Sequence, residues 1–289
     1  SDRGRFGFSH IDAKEQGVEA LGYVVINRTL GDVLQTALPQ VDGLEIICPG
    51  KVFAVDLGSE LATVRIEESN GTLLDLTCNL LIAADGANSA VRKMVGISAS
   101  RVDYNQLAVV GNLKSDKPPM NRAFERFTDS GPIAMLPVTD DRAAFVWTLP
   151  PVKAEEIMQL SDVAFIKELQ DAFGFRLGKL ARVGQRAAYP LVLSKATRLF
   201  TGRCVLVGNA AHGLHPVAAQ GFNLGLRDVA ALSECIADAS HDLHSRFDIG
   251  NVEILEKYEQ WRREDQRKLI QITDGIVRLF GSARVAVRV

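Results

Sequence analysis

The chain has 289 residues, of which 47% are hydrophobic and 24% charged, values ordinary for a folded protein with a sizeable core and inconsistent with intrinsic disorder. Its formal net charge is -2 at pH 7, so no overall basic field indicates binding to nucleic acid. The four cysteines form no C-x-x-C pair, so they indicate neither a zinc site nor a disulfide framework, and a cytoplasmic location is expected. No apolar run reaches the length of about 18 residues that predicts a transmembrane helix.

The first hundred residues have the pattern of a mixed α/β region. The pattern predicts strands at 22–26 and 44–48, a helix at 29–38 with Thr29 as its N-cap, a hairpin at 51–57 and 62–68 returning at 73–78, and a strand at 80–84 covered on both faces. From about 105 to 150, alternating segments broken by turn residues predict an antiparallel sheet. Two helices are expected further on, one at 161–173 capped by Ser161 and a long amphipathic one at about 251–280.

The stretch from Gly202 to Asp228 is the most informative part of the sequence. A short apolar strand leads into a turn of small residues at Gly208 and Asn209, and a helix then opens at Gly221. Its first turn also contains Phe222 and Asn223. Because the amides at a helix start lack intrahelical acceptors, this backbone favours a ligand that carries negative charge.

Two other features place polar side chains next to predicted strand ends. The strand at 80–84 runs into Asp85 and Gly86, and Ser89 and Arg92 follow at the start of a short helix. Arg28 lies between a predicted strand and helix, where its guanidinium is suited to a phosphate or to the edge of a polar ring. Each feature alone also fits a structural role as a turn or an ion pair.

Three further patterns can be interpreted as functional sites or as ordinary structural features. His212 and His215, and likewise His241 and His244, have i, i+3 spacing without a third ligand, so no metal site is predicted. Phe145 and Trp147 share one face of a strand, which fits either an aromatic pocket or ordinary core packing. In the last helix, basic residues surround Trp261, a pattern of membrane contact or of a solvated face: Arg262, Arg263, Arg267 and Lys268.

Taken together and in order, these motifs resemble the flavin-dependent aromatic hydroxylases of the group A monooxygenase class. The chain is most similar to the ubiquinone-biosynthesis branch of that class, the 2-octaprenyl-6-methoxyphenol hydroxylases. The resemblance also includes segments outside the two loops, namely 122–127, 134–137 and 173–179. It implies a partial FAD-binding, Rossmann-like domain at 1–100 and 196–250, an inserted antiparallel-sheet substrate domain at 101–195, and a C-terminal helix at 251–289.

The resemblance assigns roles to the motif residues. Asn209 stands where the family has an acid that holds the flavin ribityl hydroxyls, and Gly208 forms the same turn. Pro216 is expected beside the isoalloxazine ring, and the amides of Gly221, Phe222 and Asn223 are expected to face the pyrimidine edge of that ring. Asp85, Gly86 and Arg92 are expected near the pyrophosphate of FAD and the nicotinamide cofactor. Arg28 is expected near the flavin.

The implied reaction is reduction of FAD by NAD(P)H, capture of O2 as a flavin hydroperoxide, and ring hydroxylation of a polyprenylated phenol in ubiquinone biosynthesis. No side chain is assigned as a catalytic acid or base. The further expectations are contact with a complex of ubiquinone-biosynthesis proteins and peripheral contact with the inner membrane. The alternatives are a non-catalytic lipid-substrate-binding or assembly module, and a flavoenzyme that acts on a small soluble aromatic compound.

One family motif has no counterpart in the sequence. The G-x-G-x-x-G turn that cradles the ADP half of FAD is not found, and residues 1–22 look as though they follow that unit. The sequence is therefore interpreted as N-terminally truncated, and weak binding of FAD, or none, is expected of it.

Overall fold

The computed structural model describes residues 9–139, 141–213, 220–243 and 247–281. The helices within these ranges are α1 (Asn27–Ala37), α2 (Ala90–Met94), α3 (Pro151–Gln159), α4 (Asp162–Phe173), α5 (Gly221–Leu243) and α6 (Val252–Gly281). The strands are β1 (Gly50–Leu57), β2 (Ala62–Glu68), β3 (Leu73–Cys78), β4 (Leu81–Ala83), β5 (Ala99–Ser115), β6 (Phe124–Thr128), β7 (Gly131–Thr139), β8 (Arg142–Leu149), β9 (Leu180–Ala196), β10 (Phe200–Thr201), β11 (Cys204–Leu206) and β12 (His212–Gly213). The mixed α/β class expected from the sequence is confirmed.

The residues divide into two compact units. One contains the described parts of Ser1–Leu44, Asn105–Leu191 and Phe280–Val289, and the other contains Glu45–Tyr104 and the described parts of Val192–Leu279. The four-segment domain division expected from the sequence stays a prediction.

The unit that contains 105–191 is built on an antiparallel sheet, as the sequence predicted for 105–150. Strands β5, β8, β7 and β6 are neighbours in that order and pair antiparallel where their register is defined. Helix α4 begins after Ser161, whose hydroxyl accepts a hydrogen bond from the Ala164 amide, and ends at Gly174. Both predicted ends of this helix are therefore confirmed.

One face of this sheet is packed against helix α4, and Phe145 and Trp147 lie in that core. Phe145 and Trp147 are 0% and 3% exposed, and both rings contact the ring of Phe165 from α4. Core packing is therefore the correct interpretation of the pair.

The sequence misassigned part of the first fifty residues. Residues 22–26 and 44–48 are not strands, and α1 begins at Asn27 with no side-chain cap instead of at Thr29. Apolar β-branched residues alone do not form a strand, because a strand needs a hydrogen-bonded neighbour. Tyr23 and Val25 are 84% and 56% exposed in this segment.

The other unit contains the two sequence motifs. Strands β1, β2 and β3 form the predicted antiparallel meander, with the Thr72 amide bonded to the Asn70 side chain in the second turn. A second sheet has the order β10-β11-β4. Its core includes residues from β4, β11, α5 and α6. Ile82 in the edge strand β4 is 47% exposed, so the expectation of a strand covered on both faces was wrong.

Candidate functional site

The two motif loops lie side by side because their strands are neighbours. Strands β4 and β11 pair parallel, with Leu81 opposite Cys204 and Ala83 opposite Leu206. The pairing continues past the strand ends, since the Val207 amide donates to the Ala83 carbonyl over 3.1 Å. Parallel strands that are in register end at the same edge of a sheet, which is where α/β proteins bind ligands. The loops that follow β4 and β11 therefore share one edge.

The turn after β11 is tight and touches helix α5. Gly208 has φ +57°, in the left-handed region that glycine tolerates, and the residues up to Ala210 form a single 3₁₀ turn. A Cβ atom added to Gly225 in α5 would lie 3.4 Å from the Gly208 Cα, so the turn and the helix are already in close contact. Asn209 is exposed between them. The small residues of this motif thus let a backbone turn pack on a helix while one amide side chain stays accessible.

Helix α5 begins on this edge with an open first turn. Phe222 is 62% exposed, Asn223 is also exposed, and a Cβ added to Gly221 would meet no atom within 4 Å among the described residues. The first four amides of an α-helix have no intrahelical acceptor. The amides of these three residues therefore lie at the positive end of a helix without intrahelical acceptors. Pro216, the other predicted residue of this loop, lies outside the described residues.

The carboxylate of Asp85 organises the loop after β4. It accepts hydrogen bonds from the Ser89 hydroxyl and, over 3.0 Å, from the Val91 amide at the start of α2. Burial alone raises the pKa of Asp85, but these donors outweigh it and hold the pKa below its usual value. Gly86 follows with φ +85° and stays partly exposed. Asp85 is therefore an ionised group that is held in place and still accessible.

Arg92 joins the two loops from behind. Its side chain is buried, at 4% exposure, and donates to the carbonyls of Ala210 over 2.6 Å and Ala87 over 3.1 Å. Because Ala87 belongs to the loop after β4 and Ala210 to the turn after β11, one guanidinium fixes their separation. Its assignment to a cofactor stays a prediction, and the observed contacts make it a support of the edge.

Arg28 is a further residue that the sequence assigned to the flavin site. It lies in the first turn of α1 with an exposed side chain, and it belongs to the other compact unit. Its proximity to the flavin stays a prediction.

A buried ionic cluster beneath the turn escaped the sequence analysis. Asp228 in α5 and His212 are both 0% exposed, and the His212 Nε2 lies 2.6 Å from an Asp228 carboxylate oxygen. Arg262 from α6 is 2% exposed and donates to the same carboxylate over 2.7 Å. A signal was available, because Asp228 lies on the apolar stripe of α5 formed by Leu224, Ala231, Leu232 and Cys235. A charged residue on such a stripe predicts a buried ion pair.

The described residues contain no group of three or more His, Cys, Asp or Glu side chains placed to hold a metal ion. His215 and His244, the second members of the two histidine pairs, lie outside the described ranges. In the same part of the chain, no helix is both long and apolar enough to cross a membrane.

Comparison with known proteins adds the family. Residues 52–273, which include both motif loops and the cluster beneath them, match the family model described as an FAD binding domain. The chain belongs to the FAD-binding-domain family. The resemblance drawn from the motifs is confirmed at this level, and FAD is the cofactor of the family.

Relatives of this FAD-binding-domain chain include hydroxylases of ubiquinone biosynthesis. It is 36% identical over 273 residues to the ubiquinone hydroxylase UbiL of Rhodospirillum rubrum, covering 94% of this chain and 62% of that protein. It is 33% identical over 228 residues to the 3-demethoxyubiquinol 3-hydroxylase of Escherichia coli, covering 79% and 57%. An uncharacterized protein of Synechocystis is 35% identical, with 97% of this chain and 66% of the relative covered. The chain thus spans about two thirds or less of the length of these relatives.

Solved structures agree on the fold. The p-nitrophenol 4-monooxygenase PnpA of Pseudomonas putida matches with a TM-score of 0.71 at 20% identity, over 90% of this chain and 65% of that one. A probable FAD-dependent monooxygenase of Pseudomonas aeruginosa matches with a TM-score of 0.70 at 20% identity, over 88% of this chain and 70% of that one. Identities this low show a shared fold and no more.

The residues at the shared edge have the donor set that the flavin half of FAD requires. An exposed amide side chain at Asn209 both donates and accepts, as a polyol chain needs, and the amides of Gly221 to Asn223 at a helix start suit an electron-rich ring. Open space at Gly221 and Gly86 leaves the backbone approachable among the described residues. The edge therefore fits the flavin side of the cofactor.

Proposed function

We propose that this chain carries the flavin side of an FAD- and NAD(P)H-dependent hydroxylase of ubiquinone biosynthesis that adds an oxygen atom from O2 to a polyprenylated phenol. The observation that carries the proposal is the parallel pairing of β4 with β11, which brings Asp85 and Asn209 to one edge. The names of the relatives support the substrate class, since they include a ubiquinone hydroxylase and a demethoxyubiquinol hydroxylase.

In this proposal the residues of the edge bind and orient the cofactor. The Asn209 side chain holds ribityl hydroxyls, and the amides of Gly221, Phe222 and Asn223 face the edge of the ring that becomes negative on reduction. Fixed donors stabilise such charge without having to reorganise. Asp85 and Gly86 hold hydroxyl or pyrophosphate groups. When bound, FAD supplies the electron transfer from NAD(P)H and the activation of O2.

Arg92 and the Gly208 turn support these groups. Since a displacement of about 1 Å at a binding group costs up to a hundredfold in rate, the buried contacts of Arg92 belong to the proposed function even though its guanidinium faces away from solvent. Arg28 and Pro216 keep their proposed positions near the flavin and beside its ring, respectively.

The test is oxidation of NAD(P)H by the FAD-saturated protein with and without a short-chain prenylated phenol, with the product followed by mass spectrometry. The proposal predicts phenol-stimulated oxidation and a product heavier by one oxygen atom. Binding of the phenol without any flavin dependence would instead indicate the non-catalytic module. Turnover of a small soluble phenol but not of its prenylated counterpart would contradict the proposed substrate.

Contact with a membrane or with other biosynthetic proteins remains a proposal. Trp261 is 44% exposed on α6, which favours contact with a membrane or a protein surface. Arg262 is buried and paired with Asp228, however, and Arg263 and Lys268 are paired with Glu259 and Glu264, so the basic stripe is partly neutralised. A vesicle-flotation experiment with anionic lipids tests the contact with a membrane.

A further inference from the structure

Asp228 is the point at which three segments of the chain meet. One of its carboxylate oxygens accepts from the Gly208 amide over 2.9 Å and lies 2.6 Å from the His212 Nε2. The other oxygen accepts from the Arg262 guanidinium over 2.7 Å and from the side-chain amide of Gln266 over 3.4 Å. The turn after β11, strand β12 and helix α6 are therefore all tied to one side chain of α5.

The carboxylate is buried as a charge within a larger network. Arg262 also donates to Asp265 over 2.6 Å, and Asp265 accepts from Arg227 over 2.8 Å. Burial by itself raises the pKa of Asp228, but hydrogen bonds from His212 and Arg262 outweigh this and keep the pKa below its usual value. A buried ion pair is weak evidence for stability, because well-packed apolar residues often serve equally well. What the contacts of Asp228 do provide is a fixed position for the three segments that they join.

The position at stake is that of the turn. The Gly208 amide points into the protein toward Asp228, and the Gly208 Cα touches Gly225, one helical turn before Asp228. The next residue is Asn209, which is exposed. A movement of Gly208 away from α5 therefore moves Asn209 relative to the amides of Gly221 to Asn223.

We propose that Asp228 is a positioning residue for the ligand-binding edge, holding the Gly208 turn against α5 while Arg262 and Gln266 of α6 hold Asp228. Helix α6 thereby braces an edge that its own backbone does not form. The role toward flavin rests on the proposed function, whereas the anchoring of the turn does not.

The anchoring is tested by amide hydrogen exchange in the absence of ligand. Asp228→Asn keeps the shape but places an amide donor against donors, so peptides covering 207–212 should exchange about tenfold faster. The matched control is Asp238→Asn, an exposed acid on the same helix that is paired with Lys257 of α6 over 2.7 Å. It should leave those peptides unchanged. Equal exchange in the wild type and Asp228→Asn, with folding verified by circular dichroism, would overturn the proposal.

A milder pair of variants keeps the test decisive if Asp228→Asn does not fold. Arg262→Lys preserves the charge but cannot reproduce the planar fork that reaches Asp228 and Asp265 together. Its neighbour Arg263 is an exposed residue paired with Glu259, so Arg263→Lys is the control. Faster exchange at 207–212 in Arg262→Lys alone supports the proposal, and identical exchange in the two variants contradicts it.

The role toward flavin is tested by titration of the same proteins with FAD. The dissociation constant should rise about tenfold in Asp228→Asn and stay unchanged in Asp238→Asn. Faster amide exchange at 207–212 in Asp228→Asn with an unaltered FAD affinity would overturn the role toward flavin. Absence of FAD binding by the wild type would instead overturn the proposed function, and the exchange experiment would still decide the anchoring.

Discussion

The cysteines report how tightly the strand that leads to the Gly208 turn is packed. Cys204 is 0% exposed in β11, and burial raises the pKa of its thiol to about 12. Cys235 in α5 is 1% exposed, whereas Cys48 is exposed. Since the thiolate is the reactive form, burial and a raised pKa both make Cys204 inert in the folded protein.

We therefore expect an aromatic disulfide reagent to modify Cys48 rapidly in the native protein and to leave Cys204 and Cys235 unmodified until urea unfolds it. Peptide mass spectrometry after timed quenching locates the modified thiols. Rapid labelling of Cys204 under native conditions would contradict the packing described for β11.

At the scale of elements, the connection between the two loops is measurable through Arg92. Arg92→Met removes the donors to the Ala210 and Ala87 carbonyls and should lower the free energy of unfolding by about 2 kcal/mol, because the Ala210 carbonyl loses its partner in a buried setting and the Ala87 carbonyl in a part-buried one. The adjacent Lys93 is exposed, so Lys93→Met is the control. Urea unfolding of both variants gives the difference, and similar values would show that Arg92 does not link the loops.

The sequence predicted elements where the local signal is strong. The meander from β1 to β3, helix α4 with its Ser161 cap, and the start of α5 at Gly221 follow from turn chemistry, capping residues and periodicity. The predicted strand at 22–26 failed, because its apolar residues have no neighbouring strand in the described structure.

The same contrast applies to the candidate site. Asp85, Gly86, Gly208 and Asn209 were found from motifs, and the structure places them at one edge. The contact of Arg92 with Ala210 and that of Asp228 with Arg262 join residues 118 and 34 positions apart in sequence. Sequence spacing within one element cannot reveal such pairs.

For the whole molecule, the buried carboxylate of Asp228 predicts how stability depends on pH. The pKa of Asp228 is lower in the folded protein than in the unfolded chain, where it is about 3.9. The stabilisation is therefore fully present above that value and is lost as the pH falls through the folded-state pKa. We expect the free energy of unfolding to fall on acidification below about pH 4, and less steeply in Asp228→Asn. Urea unfolding of both proteins at several pH values around 4 measures this dependence. The same dependence of the free energy of unfolding on pH in both proteins would contradict the prediction.

In the proposed function, the edge formed by the loops after β4 and β11 and by the start of α5 binds the flavin half of FAD. The matched family model spans both compact units, at residues 52–273, so the test uses the whole chain. Gly221→Val is the sharpest probe, since the described residues leave open space there and the added side chain blocks the amides without displacing the core. Asn209→Asp is its control, because it preserves the reach of the side chain.

The decisive measurement is a titration of FAD with the wild type and these two variants, followed by flavin fluorescence. We expect weak but saturable binding to the wild type and to Asn209→Asp, and a dissociation constant at least about tenfold higher for Gly221→Val. Riboflavin should compete with FAD, because the proposed contacts are to the flavin half. Equal affinity of the wild type and Gly221→Val, or no saturable change with any of the three proteins, would contradict the claim.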